Sequence, residues 1–263
     1  MKYSIDPHEI ERRLVLAMIL EPLAEKEGCT TRTRDLHDKI RLQHLQAAGV
    51  NTGKYFFQLA ERVNEQQGQP RVYWDLALEA LRTSRLNIAN TGKFISQGLV
   101  AILIDIVLSS ILTEGDGIAV CKAVPDILKK SSKDDADCRT KYLTLAWSTS
   151  TRAKKRDFTH VSQANNLYEY HEQHRALSQD AGYTSGVIWC EELLNGLPII
   201  QEMYTIALKH IDSGLIASME ACYPIGFQRL EERGHMSAGF AADYVAAVAY
   251  LLLRDMENKA IIV

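Results

Sequence analysis

The tetrapeptide Asn-Thr-Gly-Lys occurs twice in the chain of 263 residues, at Asn51–Lys54 and at Asn90–Lys93. An aromatic residue follows each copy, and a Gln stands four residues after each Lys. Both copies are predicted to open a helix, where Asn or Thr caps the first turn and Gly allows a phosphate to approach closely. Because a helix N-terminus beside a Lys is an anion site, the pair predicts contacts with a molecule carrying more than one phosphate.

The two lysines, Lys54 and Lys93, carry this interpretation. A positive charge in the first turn of a helix opposes the helix dipole unless an anion lies nearby. The alternative is that Asn51 and Asn90 simply cap their helices and that the lysines extend into water. The similarity fades outside an eight-residue window, which argues against a true duplication. A P-loop is excluded, because its glycine spacing is absent and no strand precedes either copy.

Other basic residues could extend such a phosphate-binding surface. Short hydroxyl side chains accompany several of them, as is common at phosphate contacts. Tyr55 and Phe94, directly after the two lysines, could serve as stacking surfaces. The alternative is that each cluster is an ordinary solvated face. Together with Lys54, Lys93, Asn51 and Asn90, the candidate phosphate contacts are Arg82, Arg85, Lys154, Lys155 and Arg156.

The composition limits the classes of protein that remain. Lys and Arg number 30 against 33 Asp and Glu, so any anion-binding surface must be local. The five cysteines are odd in number and lack C-x-x-C spacing, which is typical of reduced thiols rather than of a disulfide framework or zinc ribbon. The N-terminus lacks a signal-peptide core, and the apolar run Gly98–Leu112 is too short to span a membrane. We therefore expect a cytoplasmic protein without a membrane partner.

The local patterns predict an all-α fold, a compact multi-helix domain that could form two helical lobes. Asp6 and Pro7 are typical of a helix start, and the run Gly98–Leu112 reads as a buried central helix. A helix from Thr33 to Ala48 is predicted to end at Gly49. No stretch shows sustained alternation, with Val120 and residues 261–263 as possible short strands. A boundary near residue 150 would separate an N-terminal lobe (1–150) from a C-terminal lobe (151–263), unless both form one domain.

Catalytic and metal-binding patterns are weak. His171 and His174 stand three residues apart, not four as in the H-E-x-x-H zinc motif, and we interpret them as a solvated helix face. Cys190 precedes two glutamates, which would raise the pKa of its thiol. No nucleophile elbow is present. We therefore predict no catalytic residue, no metal site and no cofactor.

The sequence favours a non-enzymatic subunit that binds nucleic acid or assembles a nucleoprotein, together with other protein subunits. It would contact the phosphate backbone of RNA or DNA without strong sequence specificity, and its binding would weaken with salt. One alternative is a helical-bundle enzyme with a metal held by His171, His174, Glu169 or Glu232. A second alternative is a structural scaffold subunit with no nucleic-acid role.

Overall fold

The computed structural model describes residues 5–35, 41–87, 96–147 and 163–256. These residues form eleven α-helices and contain no strand, so the all-α prediction is confirmed. The helices are α1 (Pro7–Leu20), α2 (Leu42–Gln66), α3 (Trp74–Asn87), α4 (Gln97–Leu112), α5 (Gly117–Lys129), α6 (Lys133–Trp147), α7 (Leu167–Asp180), α8 (Thr184–Leu194), α9 (Pro198–Lys209), α10 (Leu215–Glu232) and α11 (Ala238–Asp255).

The first helix begins where its sequence signals place it. The Asp6 carboxylate accepts a hydrogen bond of 2.9 Å from the backbone N–H of His8, and Pro7 occupies the first helical position. The side-chain cap satisfies a donor that the helix itself leaves unpaired. The apolar face of α1 then packs along α2 and α11.

Helix α2 differs from the prediction, because it continues through Gly49 instead of ending there. Gly49 and Gly53 are four residues apart and lie on one face of α2. A Cβ atom at position 49 would lie 2.9 Å from Met18 Cβ, and one at position 53 would lie 2.6 Å from Val15 Cγ2. The two glycines therefore allow α1 to approach α2 closely, which is a packing role rather than a helix end.

Helix α4 is the central helix that the apolar run predicts. Its residues from Leu99 to Ser110 are all buried, and α2, α3, α5 and α11 pack around it. In the described part of the chain, no single helix is long and apolar enough to cross a membrane. Only α4 and α5 taken together meet that length and composition, with a bend of 106° between them.

One hydrophobic core cluster runs through the described helices, from Ile10 on α1 to Leu252 on α11. Helix α11 contacts α1, α4, α9 and α10, so it joins the early and the late part of the chain. Val120 lies inside α5, so the predicted strand there is wrong. The proposed boundary near residue 150 and the possible strand at 261–263 lie outside the described residues.

Candidate functional site

The first Asn-Thr-Gly-Lys copy lies in the middle of α2, so the prediction that it opens a helix is wrong. The Thr52 hydroxyl donates a hydrogen bond of 2.6 Å to the Ala48 carbonyl one turn earlier. This bond satisfies the hydroxyl inside the helix, and Thr52 caps nothing. Lys54 is consequently far from the positive end of the α2 dipole. The second copy, Asn90–Lys93, lies outside the described residues.

Lys54 nevertheless belongs to an exposed surface shared by α2 and α3. Its Nζ atom lies 4.8 Å from the centroid of the Tyr55 ring, a cation–π contact. The Tyr55 hydroxyl is hydrogen-bonded to Thr83 Oγ1 on α3. Arg82, the neighbour of Thr83, is exposed and pairs with Glu79 of the same helix. The structure therefore places two predicted phosphate contacts, Lys54 and Arg82, on adjacent helices.

Of the other predicted contacts, the structure describes the side chain of Asn51 alone. Asn51 is half-buried on α2. Arg85 lies on α3, where the structure describes its backbone alone. The basic residues Lys154, Lys155 and Arg156 fall outside the described part of the chain. Their contribution to a phosphate-binding surface stays a prediction.

The histidine pair on α7 is buried, so its interpretation as a solvated face is wrong. The Nδ1 atoms of His171 and His174 lie 3.7 and 3.3 Å from Cys190 Sγ on α8. Burial lowers the pKa of His171 and raises that of Cys190 to about 12. The predicted direction for Cys190 is confirmed, but burial is its main cause. The described residues contain no group of three or more His, Cys, Asp or Glu that could hold a metal ion.

A cavity of about 320 Å³ lies where α4, α6, α7, α8 and α11 meet. This volume is at the lower end of the range for small-molecule pockets in proteins. Helix α6 supplies one wall through Arg139, Tyr142, Leu143 and Ala146, which share a helix face. Aromatic side chains from α8 and α11 close another wall. These are Trp189 and Phe240, which stack with centroids 5.5 Å apart and an interplanar angle of 19°.

Arg139 is the unusual residue of this cavity, because its side chain is cationic and only 2% exposed. Its Cζ atom lies 4.7 Å from the Trp74 ring centroid, 5.6 Å from that of Tyr142 and 5.7 Å from that of Trp189. The Nε and Nη1 atoms are buried and have no hydrogen-bond partner among the described residues. Two N–H groups of a buried guanidinium are thus held between aromatic rings without an acceptor.

The Asp105 carboxyl group is close enough for Arg139 to lower its pKa, but it does not form an ion pair with this cation. Within the described ranges, no ion pair reaches Arg139. The buried Asp105 instead accepts hydrogen bonds of 3.0 Å from Tyr73 Oη and Trp74 Nε1, and burial raises its pKa to about 7. Cation–π contacts are worth about 0.5–2 kcal/mol each. Burying an unpaired guanidinium costs several kcal/mol, and each unmet donor about 1–3 more. The aromatic contacts therefore leave much of the cost uncompensated.

The opposite charge lies on another wall of the same cavity. Asp243, on α11, is the one acidic side chain among the described residues that line it. A Cβ atom at position 98 would overlap Asp243 Oδ2, so this carboxylate needs the glycine at the start of α4. Tyr142 extends between the two walls, and its hydroxyl donates a hydrogen bond of 2.5 Å to the Gln97 carbonyl. Burial raises the pKa of Asp243 well above its usual range.

Sequence reasoning did not identify Arg139, Asp243 or the cavity. One signal was present, since Arg139 precedes Tyr142, Leu143 and Ala146 by three, four and seven residues, a spacing that places all four on one face of a helix. A cation within an otherwise apolar stripe is a candidate for burial with a partner. Nothing comparable marks Asp243, because its role depends on packing between α4 and α11.

Comparison with protein-family models, with curated proteins and with solved structures finds no significant match to this chain. The functional argument therefore rests on the geometry of the cavity and of the α2–α3 surface.

Proposed function

We propose that the protein binds a small organic anion in the cavity that Arg139 lines. The observation that carries this proposal is the buried guanidinium of Arg139. Two of its N–H donors have no partner among the described residues, and it lies in the wall of a cavity large enough for a small molecule. A carboxylate or phosphate group at the guanidinium would supply an acceptor that the described residues do not provide. Charge-assisted hydrogen bonds of this kind are stronger than neutral ones.

The rest of the cavity fits an anion that carries an apolar body. Trp189, Phe240 and Tyr142 offer aromatic surface, while Leu143 and Ala146 add aliphatic surface. Such pockets are typically apolar with a few polar groups that orient the ligand. The anionic group would therefore lie at Arg139, and its hydrocarbon part would lie along the aromatic walls.

Calorimetric titration with hexanoate, hexyl phosphate and hexanol tests this proposal. We expect saturable binding of at least one anion and none of hexanol, and the stronger anion identifies the headgroup. The variant Arg139→Met should abolish anion binding, because it removes both donors. Arg175→Met is the matched control, since Arg175 is exposed on α7. Equal binding of hexanol and hexanoate, or unchanged binding by Arg139→Met, would overturn the proposal.

A second candidate function is binding of a nucleic-acid backbone by the α2–α3 surface. It is supported by the Tyr55–Thr83 hydrogen bond, which holds the helices of Lys54 and Arg82 side by side. Both cations are exposed. Tyr55 is buried next to Lys54, so the expectation that its ring serves as a stacking surface is wrong. The α2–α3 surface would track phosphates without reading bases. We keep the assignment of RNA or DNA open to experiment.

Fluorescence anisotropy with single-stranded RNA and DNA oligonucleotides over a salt series tests this second candidate. Charge reversal in the double variant Lys54→Glu/Arg82→Glu should weaken binding and reduce its dependence on salt. The matched control is Lys129→Glu/Lys133→Glu, which reverses two exposed lysines elsewhere. If the Lys54→Glu/Arg82→Glu protein binds as well as the parent at every salt concentration, the site assignment is wrong.

A further inference from the structure

The Arg139 cavity is lined by two side chains of opposite charge, and no described residue forms an ion pair with either. Arg139 is the one arginine or lysine, and Asp243 the one acidic residue, among the described residues that line it. No hydrogen bond or ion pair joins Asp243 to another described residue. A simple anion would satisfy Arg139 and leave the carboxylate without a cation. A ligand that satisfies both residues must carry both charges.

Among the described residues, no cation acts on Asp243. Glu21 is the charged group that acts on it most, and this negative charge adds to the effect of burial in raising the pKa of Asp243. Lys26 already pairs with Glu21: its Nζ atom lies 3.0 Å from Glu21 Oε1 and 2.9 Å from the Ala24 carbonyl oxygen. A positive charge that approaches Asp243 must therefore come from outside the described protein.

Arg139 is not among the charged groups that act on Asp243. We therefore infer that the two charges are farther apart than those of an α-amino acid, which are on neighbouring carbon atoms. The Tyr142 side chain lies between Arg139 and Asp243. Its ring centroid is 5.6 Å from Arg139 Cζ, and its hydroxyl donates to the Gln97 carbonyl. Gln97 precedes Gly98, the glycine that contacts the Asp243 carboxylate. A cavity of about 320 Å³ is roughly 8 Å across if it is treated as a sphere. The stacked Trp189 and Phe240 rings provide an apolar wall for a connecting chain.

We infer that the ligand of this cavity is a zwitterion with its charges at opposite ends of a short apolar chain, an ω-amino acid in chemical class. Its carboxylate binds Arg139 and its ammonium group binds Asp243. This inference rests on the proposed anion-binding function and adds the second charge. Both residues line one cavity.

Calorimetric titration of the full chain with 6-aminohexanoate, hexanoate and hexylamine tests the inference. We expect 6-aminohexanoate to bind at least about tenfold more tightly than hexanoate, because its ammonium group adds a charge-assisted hydrogen bond to Asp243. Asp243→Asn should remove this advantage, because the ammonium group would lose its counter-charge. Asp137→Asn is the matched control, since Asp137 pairs with Lys133 outside the cavity.

The outcomes separate the inference from the function on which it rests. If hexanoate binds through Arg139 but 6-aminohexanoate binds no more tightly, the zwitterion is wrong and the anion site stands. If neither compound binds, both proposals fail. The comparison of the two compounds on the unaltered protein needs no variant, so a folding defect in Asp243→Asn leaves the inference testable. Gly98→Ala, which would displace the Asp243 carboxylate, should likewise reduce the advantage of 6-aminohexanoate alone.

Discussion

Two buried cations in this molecule have opposite surroundings. Lys26 is 2% exposed, and its ammonium group donates to the carbonyls of Glu21 at 2.5 Å and Ala24 at 2.9 Å and pairs with the Glu21 carboxylate at 3.0 Å. Arg139 is equally buried, yet two of its nitrogen atoms have no acceptor among the described residues. The fold provides acceptors for the ammonium group of Lys26, whereas two donors of Arg139 could still bind a ligand.

The difference teaches which buried charge is structural. The protein compensates Lys26 with an anion and two carbonyl groups, as burial of a charge requires. Around Arg139 it supplies aromatic rings and a cavity instead. We therefore assign Lys26 a role in the stability of the fold. We assign Arg139, which lies beside a cavity without a compensating anion, a role in ligand binding.

The largest effect is expected at Lys26. Lys26→Met should lower the free energy of unfolding by about 3–5 kcal/mol, because Glu21 would be left buried without its cation. Urea unfolding followed by circular dichroism measures the change. Lys133→Met is the control, since its exposed pair with Asp137 is worth about 0–1 kcal/mol. Equal losses in both variants would contradict the internal role of Lys26.

A medium effect is expected at Asp105, which would be the natural counter-ion of Arg139. Burial raises the pKa of Asp105 to about 7, so the folded protein binds this proton more tightly than the unfolded chain. The free energy of unfolding should therefore fall as the pH rises from about 4 to about 7, by up to about 1.4 kcal/mol per unit.

Asp105→Asn should flatten this pH dependence and raise the free energy of unfolding at pH 8 by about 1–2 kcal/mol, after the cost of one unpaired amide donor. Urea unfolding at pH 4, 6 and 8 measures both effects. Part of the slope should persist, because burial also raises the pKa of Glu192 to about 7. A loss of stability in Asp105→Asn at every pH would instead identify Asp105 as the ionised partner of Arg139.

The smallest effect on stability is expected at Arg139 itself. Arg139→Met should raise the free energy of unfolding by about 1 kcal/mol, because relief of the desolvation cost outweighs the lost cation–π contacts. Thermal and urea unfolding with Arg175→Met as the control measure this change. A loss as large as that of Lys26→Met would mean that the fold itself depends on the guanidinium.

Local sequence signals predicted the elements that depend on neighbouring residues alone. Asp6 with Pro7 marked the start of α1, and the apolar run predicted α4. The helix end predicted at Gly49 was wrong. In a sequence, a glycine that ends a helix cannot be distinguished from a glycine that packs against a neighbouring helix, as Gly49 packs against Met18. The lysine beside Gly53 was consequently assigned to a helix start that does not exist.

The cavity could not be predicted, because it depends on the meeting of five helices that are far apart in sequence. Arg139 and Asp243 are separated by more than one hundred residues and lie on α6 and α11. The burial of His171 and His174 has the same origin, since Cys190 reaches them from α8. Helix periodicity predicts which residues share a face but not which faces meet.

The most direct test of the anion site is the side-chain Nε–H signal of Arg139 in nuclear magnetic resonance spectra of nitrogen-15-labelled protein, assigned by its loss in Arg139→Met. Titration with hexanoate should move this signal saturably, as expected when an unpartnered donor gains a carboxylate. The signal of the exposed Arg175 should stay in place. An Arg139 signal that does not move, at concentrations where exposed arginines respond, would contradict the proposed site.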